Sequence, residues 1–225
     1  MSKYLTEFSK VEGLNNTFIA TKGKLRCTAL RLTNDSICLF SPIAGLSEQA
    51  LASLNGLGEV SFILAPNHYH NKGLIEYSKN FPKASIIAPD LAIPRLEKVT
   101  GIMFQRLIAL NKVLPAHVSI IHTQGLKTGE IWLKIKGDVG NAWLVVDAFC
   151  AKEGVLKKAE SDTPSLLGTF PKFGVENSQI YLQWASEQIL KDVPILVLPC
   201  HGPIMKSPKL PKKLTELIHD AFGDQ

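Results

Sequence analysis

Apolar and polar positions alternate through the first forty residues, which are dense in β-branched side chains. Residues 17–21, 25–33 and 36–40 each read as a strand, separated by the turn signals Lys22-Gly23-Lys24 and Asn34-Asp35. That spacing predicts an antiparallel meander. After Ser41-Pro42 the period changes. Ser47 can cap a helix running through Leu54, stopped by Asn55-Gly56-Leu57-Gly58. Residues 59–64 are then a short apolar strand, 73–80 a helix, and Ser85-Ile86-Ile87-Ala88 a strand ended by Pro89. Residues 91–115 read as a helical excursion that includes 104–112.

The β pattern returns at residues 118–121, 130–135 and 142–146, followed by a long Lys, Ser, Thr, Pro and Gly-rich loop at 151–173. Ile180 with Trp184, and Tyr181 with Ala185 and Ile189, recur at helical spacing. Residues 193–198 read as a buried strand. Leu210, Leu214, Leu217, Ile218, Ala221 and Phe222 share one face of a closing amphipathic helix. Strands that alternate with helices after the meander predict an α/β (α+β) chain with parallel or mixed pairing.

Composition narrows the class. A chain of 225 residues suits one large domain or two small ones, and residues 1–225 are expected to form one. Hydrophobic residues make up 45%, and the mean hydropathy is +0.09, enough for a substantial core. No apolar stretch has the length of a membrane span, and Met1-Ser2-Lys3-Tyr4-Leu5-Thr6-Glu7 lacks the apolar segment of a secretory signal. The expectation is a soluble, cytoplasmic protein. Cys27, Cys38, Cys150 and Cys200 form no C-x-x-C pair and read as reduced, buried small hydrophobes, with only Cys200 placed near candidate chemistry. The net charge of +5 lies largely in Lys206, Lys209, Lys212 and Lys213. It reads as the solvated face of the terminal helix rather than a nucleic-acid footprint, though it favours anionic substrates.

Three apolar strands run into metal-ligating side chains. Phe62-Ile63-Leu64 leads to His68 and His70, Leu144-Val145-Val146 to Asp147, and Leu196-Val197-Leu198 to His201. Loops just beyond strand ends are where layered α/β proteins build sites. In His68-Tyr69-His70, side chains that repeat every second residue would point both imidazoles to one side. Asp147 after an apolar run calls for a cation or several donors, or else caps the turn at Phe149 and Cys150. His201 lies in the turn Pro199-Cys200-His201-Gly202-Pro203, where hydrogen bonding to the backbone is its alternative role. No G-x-G-x-x-G loop or G-x-S-x-G elbow is present, and Cys200 beside His201 is not the usual arrangement of a thiol nucleophile and its base.

With those residues in place the chain resembles the metallo-β-lactamase superfamily, whose motifs are His-x-His-x-Asp-His, Gly-His-Thr-x-Gly, an Asp closing an apolar strand, and a late Gly-His-Gly. The matches are His68-Tyr69-His70, Gly125-Leu126-Lys127-Thr128-Gly129-Glu130, Val145-Val146-Asp147 and Pro199-Cys200-His201-Gly202-Pro203. The resemblance implies an αββα four-layer sandwich of two mixed sheets flanked by helices, with the site at one edge between the sheets. Phe40-Ser41-Pro42-Ile43 and the segment from Ala65-Pro66-Asn67 to Ala88-Pro89 also resemble a less characterised branch of that superfamily, in which Pro66-Asn67-x-x-His70 is the informative match. His70 is therefore the firmer of the two histidines.

The departures matter equally. Lys72 and Gly73 stand where the family has Asp and His, and Leu126 stands where the third motif has its His. The remaining set implied is His68, His70, Asp147 and His201, too few for two metals. Two outcomes follow. The set holds one divalent metal (zinc, iron or manganese), with Asp147, His70 and Lys72 as the candidate catalytic residues against an ester, thioester, lactone or phosphodiester. Alternatively Lys72 replaces the lost cation by pairing with Asp147, no metal binds, and the protein is an inactive binding or interaction module; a solvated lysine at the start of a helix is an equal alternative for Lys72. His122 is a substitute ligand of lesser weight. The expected partner is a small molecule, with neither membrane nor nucleic acid; a nuclease would require steeply salt-dependent binding.

Overall fold

The computed structural model describes residues 3–138, 140–152 and 160–223. A first sheet runs in chain order through β1 (Ser9–Lys10), β2 (Thr17–Lys22), β3 (Leu25–Arg31), β4 (Ile37–Phe40), β5 (Val60–Leu64) and β6 (Ser85–Ile87). Strands β1 to β4 pair antiparallel, the meander that the alternation predicts. Pairing then turns parallel from β4 through β6. The two parallel crossovers are made by α1 (Glu48–Asn55) and α2 (Leu74–Asn80). Ser47 Oγ caps α1 by accepting the Ala50 N–H at 3.0 Å. Helices α3 (Ile93–Thr100) and α4 (Ile108–Asn111) lead to the second sheet.

That sheet contains β7 (Val118–His122), β8 (Ile131–Gly137) and β9 (Gly140–Val145), a small ribbon of β10 (Cys150–Ala151) with β12 (Pro164–Ser165) lying apart from it. Its far half is β11 (Glu160–Ser161), β13 (Leu196–Pro199) and β14 (Ile204–Lys206), giving the order β11-β14-β13-β9-β8-β7. Helices α5 (Phe170–Phe173) and α6 (Ser178–Asp192) precede β13, which pairs parallel with β9, and α7 (Leu210–Phe222) closes the described chain.

Strand periodicity explains the layers. Along β4, Cys38 and Phe40 enter a cluster shared by both sheets, while Ile37 and Leu39 enter one that includes Leu54, Leu74, Tyr77 and Leu96 of α1, α2 and α3. Along β9 and β13, Ala142, Leu144, Leu196 and Leu198 face the shared cluster. Trp143 and Val197 face instead the residues of α6 and α7, Trp184, Ile189, Leu214 and Ile218 among them. A strand buried on both faces reads as a continuous apolar run, which is how these segments appear in the sequence. The result is an αββα sandwich.

Three expectations are corrected. Residues 104–112 are not one helix, because Gln105 exchanges backbone hydrogen bonds with Ile86 and Ala88 at the edge of β6, leaving only α4 helical. The strand expected from residue 193 begins at Leu196, since α6 continues to Asp192 and Val193 caps it at φ 46°. The 151–173 loop carries β11, β12 and α5; its residues 153–159 lie outside the described residues. Among the described residues no helix is long and apolar enough to cross a membrane.

One contact ties the two sheets together where the site lies. The start of β3 meets the turn after β13: the Arg26 N–H donates to Cys200 O at 2.9 Å and the Gly202 N–H to Lys24 O at 2.7 Å. The buried Arg26 guanidinium donates to Pro199 O, and to Gly202 O at 2.9 Å. Burial lowers its pKa to about 10. Arg26→Met leaves both carbonyls unsatisfied and is expected to cost about 1–3 kcal/mol in urea unfolding with an unchanged m-value. Arg26→Lys is expected to recover only part of that loss, because an ammonium lacks the two-pronged donor geometry.

Candidate metal centre

Asp147 follows β9, His70 follows β5 and His201 follows β13, so three strand ends deliver the three side chains to one place. Asp147 Oδ1 lies 3.2 Å from His70 Nε2 and 3.1 Å from His201 Nε2. One ligand atom from each of the three lies within 4.8 Å of the other two, the one such cluster of metal-ligating groups among the described residues. The side chains of His70, Asp147 and His201 are 12%, 14% and 26% exposed, which is open enough for ligand access. The two imidazole rings meet edge-on at 5.8 Å between centroids.

Each member is held from behind. Ser41 Oγ sits 2.6 Å from His70 Nδ1. Ligation through Nε2 places the ring proton on Nδ1, where Ser41 Oγ can accept it, the outer partner that metal-bound histidines generally have. Ser41 is buried and adopts φ 58°, an uncommon backbone state for a residue other than glycine, which aims its hydroxyl inward at a position next to Pro42. Asp147 Oδ2 accepts a hydrogen bond from Asn67 Nδ2 at 2.7 Å, leaving Oδ1 to face the histidines. Burial works against Asp147 ionising, yet hydrogen bonds from His201 and His70, with His70's charge and Asn67, hold it well below the usual carboxylate range. Arg26 fixes the turn that carries His201.

Behind Asp147 stands Glu130, fully buried. It accepts hydrogen bonds from Trp132 Nε1 at 2.8 Å, Asn67 Nδ2 at 3.1 Å, and the Asp147 and Ala148 N–H groups, both at 3.4 Å. Burial first, and repulsion from Asp147 second, push its carboxyl up to about 8 despite those donors. Trp132 is locked by Trp143, Phe149 and Trp184 at ring separations of 5.0–5.6 Å. A rigid aromatic block therefore sets Glu130, Glu130 and Asp147 share the Asn67 amide, and the amide sets Asp147.

His68 does not join the cluster. The strand alternation that would have aligned it with His70 ends at Leu64. Asn67 Oδ1 accepts the Tyr69 and His70 N–H groups at 2.8 and 3.2 Å, folding residues 67–70 into a turn that turns the two rings apart. His68 instead packs its ring edge-on against Tyr69, and its buried Nε2 has no hydrogen-bond partner. Burial lowers its pKa, with the Arg95 charge adding to the effect. Lys72 is exposed at the cavity wall, and the ion pairs of Asp147 are with His70 and His201, not with it. His122 and Leu126 open onto a different cavity, beneath α4. Cys200 is buried beside Ser41; burial pushes its thiol far up, which removes the nucleophile reading.

The fit for one cation is good: two imidazole nitrogens and a carboxylate oxygen form a workable mononuclear donor set. A Cβ on Gly73 would lie 2.4 Å from Pro42 O, so a side chain could enter at that position only if the backbone shifted. Leu126 is packed in the outer core and bridges to Val175.

Glu130, Asn67 and Ser41 are the residues that motif reading underweights. A glutamate opening the strand Glu130-Ile131-Trp132-Leu133 shares its face with Trp132, and that alternation was the available signal.

By sequence, neither protein-family models nor curated proteins match the chain. By structure it superposes on DIM-1 metallo-beta-lactamase with a TM-score of 0.63 at 12% identity, covering 96% of this chain and 99% of that one. A metallo beta lactamase from Erythrobacter litoralis gives 0.63 at 13% identity over 95% and 100%. The chain has the metallo-β-lactamase fold. FIM-1 from Pseudomonas aeruginosa, solved in its mono-zinc form, superposes on this metallo-β-lactamase fold with 0.62 at 9% identity over 97% and 96%. Identities this low mark a divergent version of the fold.

Two outcomes test the supports. Ser41→Ala removes the partner of His70 Nδ1 and is expected to weaken metal affinity about 10-fold or more, read by chelator competition, with the fold intact by circular dichroism. For Glu130 the folded pKa, about 8, exceeds its ordinary 4.5. The folded state then holds a proton that the unfolded chain has released, so the contribution is complete below 4.5 and is lost as pH rises toward 8. In metal-free protein, thermal midpoints of wild type should decline over that interval relative to Glu130→Gln, which lacks the titration. Parallel profiles would contradict the shift.

Proposed function

We propose that the protein is a metal-dependent hydrolase in which His70, Asp147 and His201 hold one divalent cation, zinc, iron or manganese. The observation that supports it is the convergence of three donor atoms within 4.8 Å at the wall of a cavity of about 670 Å³. A cation bound there supplies Lewis acidity to water and to a carbonyl or phosphoryl oxygen. The chain's own groups do the rest. Asp147 Oδ1, fixed by Asn67 on its other oxygen, is positioned to orient a water at the site. Ser41 and Arg26 hold the two imidazoles in register. Phe170 and Leu167 give the cavity an apolar wall beside the reacting group. An ester, thioester, lactone or phosphodiester would fit this chemistry. The buried Cys27, Cys38 and Cys200, none in a disulfide, support a cytoplasmic setting, and residues 1–225 are taken as one domain.

A second reading has its own support: both oxygens of Asp147 already have partners without a cation, so a metal-free binding module is self-consistent. Its version with Lys72 as the substitute cation loses ground, because Lys72 is not among the groups bonded to Asp147.

Elemental analysis of protein purified without chelators separates the readings. The hydrolase reading expects about one equivalent of zinc, iron or manganese, falling at least about 10-fold in His70→Ala and in Asp147→Asn. Absence of metal, with an unchanged thermal midpoint in chelator, would establish the binding module instead.

A further inference from the structure

The cavity beside His70, Asp147 and His201 has an unusual charge balance. Lys22, Lys72 and Arg95 all line it, and the one carboxylate in its wall, Asp147, is already engaged by the two histidines and Asn67. Among the described residues none of the three cations pairs with a carboxylate. Lys22 Nζ spends one proton on Ala44 O at 2.7 Å, leaving two donors, and Arg95 stacks 4.9 Å above the Tyr69 ring, which also lines the cavity. Like charges converging on a cleft with low-dielectric walls repel one another and concentrate anions from solution. Much of the remaining wall is hydrocarbon, with Leu25, Phe170 and Phe173 among its members. A volume of about 670 Å³ suits a small organic molecule and not a polymer strand.

From this juxtaposition we propose that the site selects a small anionic amphiphile, its carboxylate or phosphate head bound by Lys22, Lys72 and Arg95 and its apolar body lying on Leu25, Phe170 and Phe173. The inference rests on the hydrolase reading in taking this cavity as the substrate site, and it narrows the substrate to an anionic ester or thioester with an apolar body. It also gives a role to Lys72, which the ion pairs of Asp147 do not include.

Calorimetric titration with 4-phenylbutyrate, 4-phenylbutyl phosphate and the neutral 4-phenylbutyramide tests it, on chelator-treated and on metal-loaded protein. Both anions are expected to bind chelator-treated protein at least about tenfold more tightly than the amide, a difference that one or two charge-assisted contacts supply. The triple variant Lys22→Gln, Lys72→Gln, Arg95→Gln is expected to lose that preference while still binding the amide. Phe173→Ala, at a position already 46% exposed and so tolerant of truncation, is expected to weaken all three ligands alike. Equal affinities for anion and amide, or no binding of any of the three, would overturn the proposal. So would a preference that appears only with metal loaded and survives the triple variant, since the metal itself would then be the anion site and the hydrolase reading would stand alone. Anion selectivity in a protein that takes up no metal would uphold the ligand class and remove the hydrolase reading.

Discussion

The arrangement depends on one carboxylate oxygen. Asp147 Oδ1 faces the Nε2 atoms of His70 and His201 at 3.2 and 3.1 Å, and these three atoms come from strand ends in both sheets. Two imidazole nitrogens aimed at one carboxylate oxygen need an N–H hydrogen or a cation between each nitrogen and that oxygen. Everything around the trio acts to keep it assembled. Ser41 at the end of β4 steadies one ring, and Arg26 at the start of β3 anchors the turn bearing the other. Both props belong to the first sheet, while Asp147 and His201 belong to the second. The centre thus exists only when the two sheets are docked, which couples it to the apolar layer they share.

The architecture was readable because periodicity reports it directly. Alternation in residues 17–40 marks a meander, and the unbroken apolar runs at 62–64, 142–146 and 196–198 mark strands covered on both faces. Ligand placement was readable to the extent that it depends on strand ends, as for Asp147 and His201. His68 shows where that logic stops. A side-chain amide two residues before Tyr69 captures two backbone N–H groups, and a turn made by one hydrogen-bonding side chain leaves no trace in hydrophobic pattern. Gln105 is the same lesson in another place, where a β-bridge at a sheet edge overrides helical spacing.

Glu130 and Asp147 together show how charge is managed at the centre. Two buried carboxylates sharing one amide donor are pushed apart in acidity, Asp147 down and Glu130 up. Glu130 thus serves as a buried hydrogen-bonding support behind Asp147, whose Oδ1 is left facing the two histidines.

Restoring the residues that a two-metal version of this fold would carry is not a matter of exchanging side chains. At Gly73 the carbonyl of Pro42 stands 2.4 Å from where a Cβ would lie, and Pro42 directly follows the residue that steadies His70. Moving Pro42 outward to admit a histidine would drag Ser41 with it and release the His70 ring. At Leu126 the side chain fills the outer core beside Val175, and a polar ring there would be buried away from the trio. Neither position could therefore regain a ligand by side-chain exchange alone, and the contacts at both support the one-cation form of the proposed site.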